Sequence, residues 1–278
     1  NTGKRSTDIQ KLQSPGRDRM LRKNFLKEKL ESGKVVLGTW SIIPSTIVID
    51  IIASANLDFI IIDSEHAPTS FETAQNMVIT CESRRVSPVM RVGGISETDI
   101  LKALDIGVHC VQIPNVNTKA DVEKIVNLSK YFPIGKRGFS PFTRAGDYSI
   151  KNSTKMTEIS NANTLIAINV EGREAIDEID NILSIEALDI VFIGLFDLSK
   201  ALGIPGEIED IRVTNYLKDL VFKINKAGKY AGTITTSEES ISNFISMGMK
   251  YIVHLVDCEM LKKSYIDIKT YFDIEMNK

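Results

Sequence analysis

The 278-residue chain lacks most features that would mark a specialised class. No apolar run reaches the roughly 18 residues that a membrane-spanning helix needs, and no secretory signal is visible. There is no basic excess. A formal charge of −2 at pH 7 offers little to neutralise a phosphate backbone, so nucleic acid is not an expected partner, and neither is a membrane. Cysteine is scarce: Cys81, Cys110 and Cys258 lie far apart with no CxxC spacing, which argues against a disulfide framework and against a zinc site. They read as core thiols of a protein kept in a reducing, cytoplasmic compartment. No GxGxxG follows the first strand and no GxxxxGK[ST] occurs, so the usual dinucleotide and nucleoside-triphosphate cradles are missing. What remains is ordinary globular composition, 43% hydrophobic and 25% charged. That suits one or two domains, or a single α/β barrel of about 250 residues.

Residues 1–19 are polar, carry Gly3, Pro15 and Gly16, and show no hydrophobic period. Met20 then opens a helical pattern through Leu21, Phe25, Leu26 and Leu30. Met20 reads as the natural start and 1–19 as a leader from an expression vector, with a disordered natural tail as the alternative. Residues 20–278 then form one domain. Within it a single unit repeats: a short β-rich run, a polar turn and a helical stretch. The runs lie at 35–41, 59–63, 88–92, 110–114, 165–170, 190–194, 230–234 and 251–256. Amphipathic stretches separate them at 45–55, 71–84, 97–104, 119–130, 173–183, 214–227 and 237–247, and a last helix is expected at 261–272. Strands alternating with helices imply parallel pairing through right-handed crossovers. Eight such units predict a closed (β/α)8 TIM barrel, with an open doubly wound sheet as the competitor.

In a barrel the chemistry sits where the strands exit. Two strand ends are distinctive. Ile166 to Arg173 is an apolar run leaving on Glu171, and Val191 to Ser199 is one leaving on Asp197. Two carboxylates at one mouth suit a hard divalent cation; as first-turn acids or helix caps they would have a purely structural role. The other exits supply Trp40, Asp63-Ser64-Glu65-His66, Arg91, Pro114-Asn115 and Thr235-Thr236. Trp40, the only tryptophan, follows a Gly-Thr turn and is expected in the pocket. Glu65 is equally an acid beside the site or a helix-entry acid. His109 and His254 lie in apolar settings and read as packed core. The long connection 131–163, with its Gly, Pro, Ser and Arg content, is expected as a flap over the pocket, with Arg144 as a substrate-facing donor. No lysine sits clearly at a strand exit, which makes Schiff-base chemistry less attractive.

These residues resemble the HpcH/HpaI aldolases over most of the chain. The resemblance is carried by Gly38-Thr39-Trp40, Asp63-Ser64-Glu65-His66-Ala67-Pro68, Val89-Met90-Arg91, Leu104-Asp105-Ile106-Gly107, Gln112-Ile113-Pro114, Gly135-Lys136-Arg137-Gly138, Arg144-Ala145, Val170-Glu171-Gly172-Arg173, and Phe192-Ile193-Gly194 followed by Asp197-Leu198-Ser199. It implies a class II aldolase that joins or separates pyruvate, as its enolate, and an aldehyde, acting on a 4-hydroxy-2-oxo acid. It further implies a divalent metal (Mg2+, Mn2+ or Co2+) on Glu171 and Asp197, and Arg91 on the pyruvate oxygens. His66, oriented by Asp105, would transfer protons through a metal-held water. Trp40, Arg144 and the Phe196 and Asp197 amides would line the substrate site, and the assembly would be a homohexamer. The chain departs from the family pattern at Leu195-Phe196, Asn169, Val92 and Ser140-Pro141, which bears on substrate shape more than on reaction class. The competing readings are a citrate-lyase-type CoA-ester lyase and a non-catalytic barrel that only binds.

Overall fold

The computed structural model describes residues 23–150 and 153–278; the expected leader and its junction at Met20 lie outside them. Eight strands, β1 (Val36–Ser41), β2 (Phe59–Asp63), β3 (Ser87–Arg91), β4 (Cys110–Ile113), β5 (Leu165–Val170), β6 (Ile190–Ile193), β7 (Tyr230–Thr235) and β8 (Tyr251–Val256), close into one barrel in chain order. Every pairing is parallel, including β1 with β8. Each strand lies within one residue of its expected limits. The barrel reading therefore holds and the open sheet is excluded.

The helices are α1 (Phe25–Glu31), α2 (Thr46–Ser54), α3 (Phe71–Ser83), α4 (Glu97–Asp105), α5 (Lys119–Ser129), α6 (Ser153–Asn163), α7 (Arg173–Asp177), α8 (Ile179–Leu183), α9 (Leu195–Ala201), α10 (Ile211–Lys226), α11 (Glu238–Met247) and α12 (Asp257–Met276). Five of them begin on a Ser or Thr whose oxygen accepts an orphan first-turn amide: Ser45, Ser70, Ser96, Thr118 and Ser237. The amphipathic stretch 173–183 is broken at Glu178, which ends α7 and starts α8. α6 and α9 escape the periodicity reading because one is mostly polar and the other spans two turns. No described helix is long and apolar enough to cross a membrane.

The two-residue period of a strand divides the core. Ile60, Ile62, Met90, Val111, Ile166 and Ile168 face outward onto the helices, while Phe59, Ile61, Val89, Cys110, Leu165, Ala167 and Tyr251 fill the barrel. Leu26 and Leu30 of α1 join that inner cluster and close its N-terminal end. The Leu26 amide donates to Ser87 Oγ at 2.8 Å, and the Asn24 side chain donates to the His109 carbonyl at 2.8 Å.

In the barrel interior Phe59 and Tyr251 stack with centroids 4.2 Å apart and planes 16° off parallel. Room for this pair comes from Gly38 and Gly232. A Cβ on Gly232 would stand 2.6 Å from the Tyr251 carbonyl oxygen and 2.7 Å from its ring, and one on Gly38 would collide with the Phe59 ring. Gly232→Ala should thus cost about 1–3 kcal/mol through overpacking, seen in urea unfolding as a lower midpoint at an unchanged slope.

Candidate active site at the barrel mouth

The inward phase that buries Ile61 and Val89 brings Asp63 and Arg91 inside two residues later, and β2–β3 register sets them side by side. The Arg91 guanidinium grips the Asp63 carboxylate with both branches, Nε to Oδ1 at 2.9 Å and Nη2 to Oδ2 at 2.6 Å. Asp63 is fully buried, and the Arg91 side chain is 12% exposed. Nη1 lies 2.9 Å from Glu65 Oε2. The guanidinium carbon sits 4.5 Å from the centroid of the Trp40 ring, which meets Phe192 edge-on at 5.3 Å. Arg91 is thereby held on three sides, in a planar geometry that lysine would not reproduce. The buried Trp40 Nε1 finds no protein acceptor, as suits a pocket-facing donor.

Burial pushes the Glu65 carboxyl above its ordinary value, against the opposing pull of Arg91 and His66. The Glu171 charge also acts on Glu65, which ties the arginine side of the mouth to the β5 exit. Asn115, in the left-handed region at φ 55, turns its amide toward Glu65 Oε1 at 3.4 Å.

Glu171 leaves β5 just before Gly172, and Asp197 lies in the first turn of α9 after Gly194. Unlike the hydroxyl-capped helices, α7 and α9 start on glycine with no side-chain cap. Glu171 Cγ and Asp197 Oδ2 approach one point, the place a Gly194 Cβ would occupy, at 3.4 and 3.5 Å. The two acids therefore close on the same spot beside Gly194, at ordinary contact distance from it. Asn169 Nδ2 donates to Glu171 Oε1 at 2.9 Å.

Among the described residues no three His, Cys, Asp or Glu side chains converge as a ready metal cage. Two carboxylates against one cradle nonetheless fit a hard cation that takes its remaining oxygens from substrate and water, the usual habit of Mg2+. A thiolate- or imidazole-preferring metal does not fit this donor set.

Three expected groupings do not form within this chain. His66 stands at the mouth, largely exposed, with Nε2 3.9 Å from Glu65 Oε2. Its expected partner Asp105 ends α4, and α4 carries the chain back to the opposite end of the barrel. There Asp105 holds Arg137 at 2.7 Å, so no His66–Asp105 pair forms within this chain. The connection 131–163 likewise comes after a helix, α5, and begins at the N-terminal end; it is not a flap over this chain's mouth. Arg144 is buried there, donating to the Ile106 carbonyl at 3.0 Å and pairing with Glu82. Phe196 is half-exposed in the first turn of α9. His109 is buried core as expected, with Nδ1 3.0 Å from Ser87 Oγ.

The sequence profile of the family described as HpcH/HpaI aldolase/citrate lyase matches residues 37–262. The chain belongs to that family. Among its relatives, a pyruvate aldolase of Rhizobium etli is 30% identical over 241 residues, spanning 86% of this chain and 94% of that protein. A 2-keto-3-deoxy-L-rhamnonate aldolase of Escherichia coli K12 is 29% identical, spanning 84% and 87%. The solved HpcH/HpaI aldolase of Desulfitobacterium hafniense superimposes with a TM-score of 0.83 at 28% identity, covering 89% of this chain and 96% of that one. HpcH/HpaI membership makes this chain a carbon–carbon lyase on a TIM barrel.

The Asp63–Arg91 pair gives a stability prediction. Removing one partner of a buried pair strands the other charge, at about 3–5 kcal/mol. Glu65 remains beside Arg91, so Asp63→Ala should fall at the low end, about 3 kcal/mol, measured by denaturant unfolding.

Proposed function

We propose that this family member is a divalent-metal-dependent aldolase that cleaves a 4-hydroxy-2-oxo acid to pyruvate and an aldehyde, or runs the reverse addition. The observation that carries the reading is the mouth itself: Glu171 and Asp197 around the Gly194 cradle, facing an Arg91 locked by Asp63. The pyruvate and 2-keto-3-deoxy-L-rhamnonate aldolases among its relatives support the 2-oxo acid half.

Glu171 and Asp197 would hold the cation, which when bound supplies a Lewis acid for the 2-oxo acid oxygens. In cleavage the substrate's 4-hydroxyl gives up its proton and the C3–C4 bond breaks. The electron pair becomes the enolate of pyruvate, and a proton returns to C3. Arg91 puts a permanent cation where the enolate oxygen gains charge, and Asp63 fixes its orientation beforehand. His66, exposed beside Glu65, is suited to carrying the proton. The uncapped amides of Phe196 and Asp197 would meet the substrate carboxylate, with Trp40 as the pocket wall.

Glu171→Gln and Asp197→Asn should each abolish metal-dependent aldol turnover while leaving the fold intact, because amides bind hard cations poorly. Near-normal activity of either variant at limiting metal would remove that residue as a ligand. Arg91→Ala should lower kcat about 10²–10³-fold, as for loss of an oxyanion donor. His66→Ala should slow turnover yet leave calorimetric metal affinity nearly unchanged. A large affinity loss would make His66 a ligand instead.

We also propose a symmetric oligomer, a hexamer. Of α12 only Asp257 is buried; Leu261, Tyr265, Ile268 and Phe272 all lie exposed along it. Leu255 at φ 51 bends the chain as it leaves β8, and Asp257 is anchored by Ser41 Oγ at 2.8 Å. α12 thus departs from the barrel with its apolar stripe uncovered, a surface suited to a second copy. Light scattering should give a multimer, which Tyr265→Glu with Ile268→Glu weakens. A wild-type monomer at micromolar concentration would contradict the proposal.

A further inference from the structure

Gln112 is the one polar residue of β4, whose burial is complete along its length. A buried amide is costly unless both its ends are paired. Gln112 Nε2 donates to Asn169 Oδ1 at 2.7 Å, and its Oε1 accepts from the Tyr251 hydroxyl at 3.2 Å. Asn169, 2% exposed, passes the chain on, its Nδ2 donating to Glu171 Oε1. A continuous line of hydrogen bonds therefore runs from the packed interior of the barrel to one of the two mouth carboxylates.

We infer that Tyr251, Gln112 and Asn169 are positioning residues, a one-way hydrogen-bond relay that fixes the Glu171 carboxylate for a divalent cation. This rests on the reading of Glu171 as a ligand. The direction of the relay is set by chemistry. An ionised carboxylate only accepts, so Asn169 must present its NH2 to Glu171 and its oxygen to Gln112. Gln112 must then present its own NH2 to Asn169 and its oxygen to Tyr251, which has to donate. Neither amide can turn over without setting like ends against each other. Burial drives the ionisation of Tyr251 far up, so its hydroxyl keeps the proton that it donates.

The far end of the relay is rigid. Tyr251 is stacked on Phe59 and meets Phe192 edge-on, centroids 6.4 Å apart at 87°. Asn169 occupies Oε1 and leaves Oε2 of Glu171 to the cation. With two protein carboxylates as the proposed ligands, the aim of each matters more than it would in a full cage of ligands.

The test is calorimetric Mn2+ titration of the full chain without substrate, alongside thermal unfolding. Gln112→Leu should weaken Mn2+ binding about 10–100-fold, the usual cost of losing a group that orients a metal ligand. Tyr251→Phe, which removes one oxygen atom and keeps the stacking, should weaken it about threefold; it carries the test if Gln112→Leu does not fold. Adding Gln112→Leu to Asn169→Leu should cost little more than Asn169→Leu alone, because Gln112 reaches Glu171 only through Asn169. Glu171→Gln separates the two levels. If it binds Mn2+ like the wild type, the ligand reading fails and the relay with it. If it loses Mn2+ while Gln112→Leu and Tyr251→Phe bind like the wild type, the relay alone is overturned, even where those variants melt earlier.

Discussion

Eight strands running in one direction bring all their C-terminal residues to one rim, and the two-residue period decides which side chains turn inward there. The chemistry of this chain depends on that arrangement. Along β2 and β3 the inward phase reads Phe59, Ile61, Asp63 and Ser87, Val89, Arg91, so each strand changes from core to charge at its last residue. A carboxylate as buried as Asp63 survives only because the neighbouring strand presents a guanidinium at the same level. The pair is at once the costliest feature of the rim and the one that holds Arg91 ready for a developing negative charge.

The two sides of the mouth meet different physical demands. On the arginine side, orientation comes from a buried bidentate pair and an aromatic face. On the carboxylate side Glu171 and Asp197 meet beside Gly194, at helix starts where glycine stands in place of a capping hydroxyl. Helices with hydroxyl caps form the scaffold, while α7 and α9 leave their first turns open to something other than their own side chains. Below the rim the interior tightens around Phe59 and Tyr251, so the mouth stands on a layer with little freedom to repack.

Much of this was legible in the sequence because strand periodicity and strand-exit chemistry are local signals. The strands, Arg91, Glu171, Asp197 and Trp40 all fall where local pattern and exit position put them. The Asp63–Arg91 pair was half visible: both residues close adjacent strands, but register appears only once the sheet is formed. Gln112 carried a signal that went unread, a lone amide inside a four-residue buried strand. Asp105 and Arg144 lie at the opposite end of this chain's own barrel from His66, which a motif cannot reveal because it names residues without saying which end they occupy. The needed rule is topological. Residues just after a strand lie at the mouth, and residues just after a helix lie at the opposite end, as α4 and α5 demonstrate. α6 and α9 were missed because neither has enough apolar turns for a period to register.

The central claim is that this mouth stabilises the enolate of a 2-oxo acid through a cation on Glu171 and Asp197, with Arg91 beside it. Incubating the enzyme with pyruvate in D2O, with Mg2+ or Mn2+ and then with a chelator, and tracking the mass of pyruvate over time, tests it without knowledge of the aldehyde. The account predicts deuterium entering the methyl group only when metal is present, and exchange ceasing in Arg91→Ala. Exchange that persists undiminished in chelator, or a methyl group that stays protonated with metal and enzyme both in excess, would contradict it.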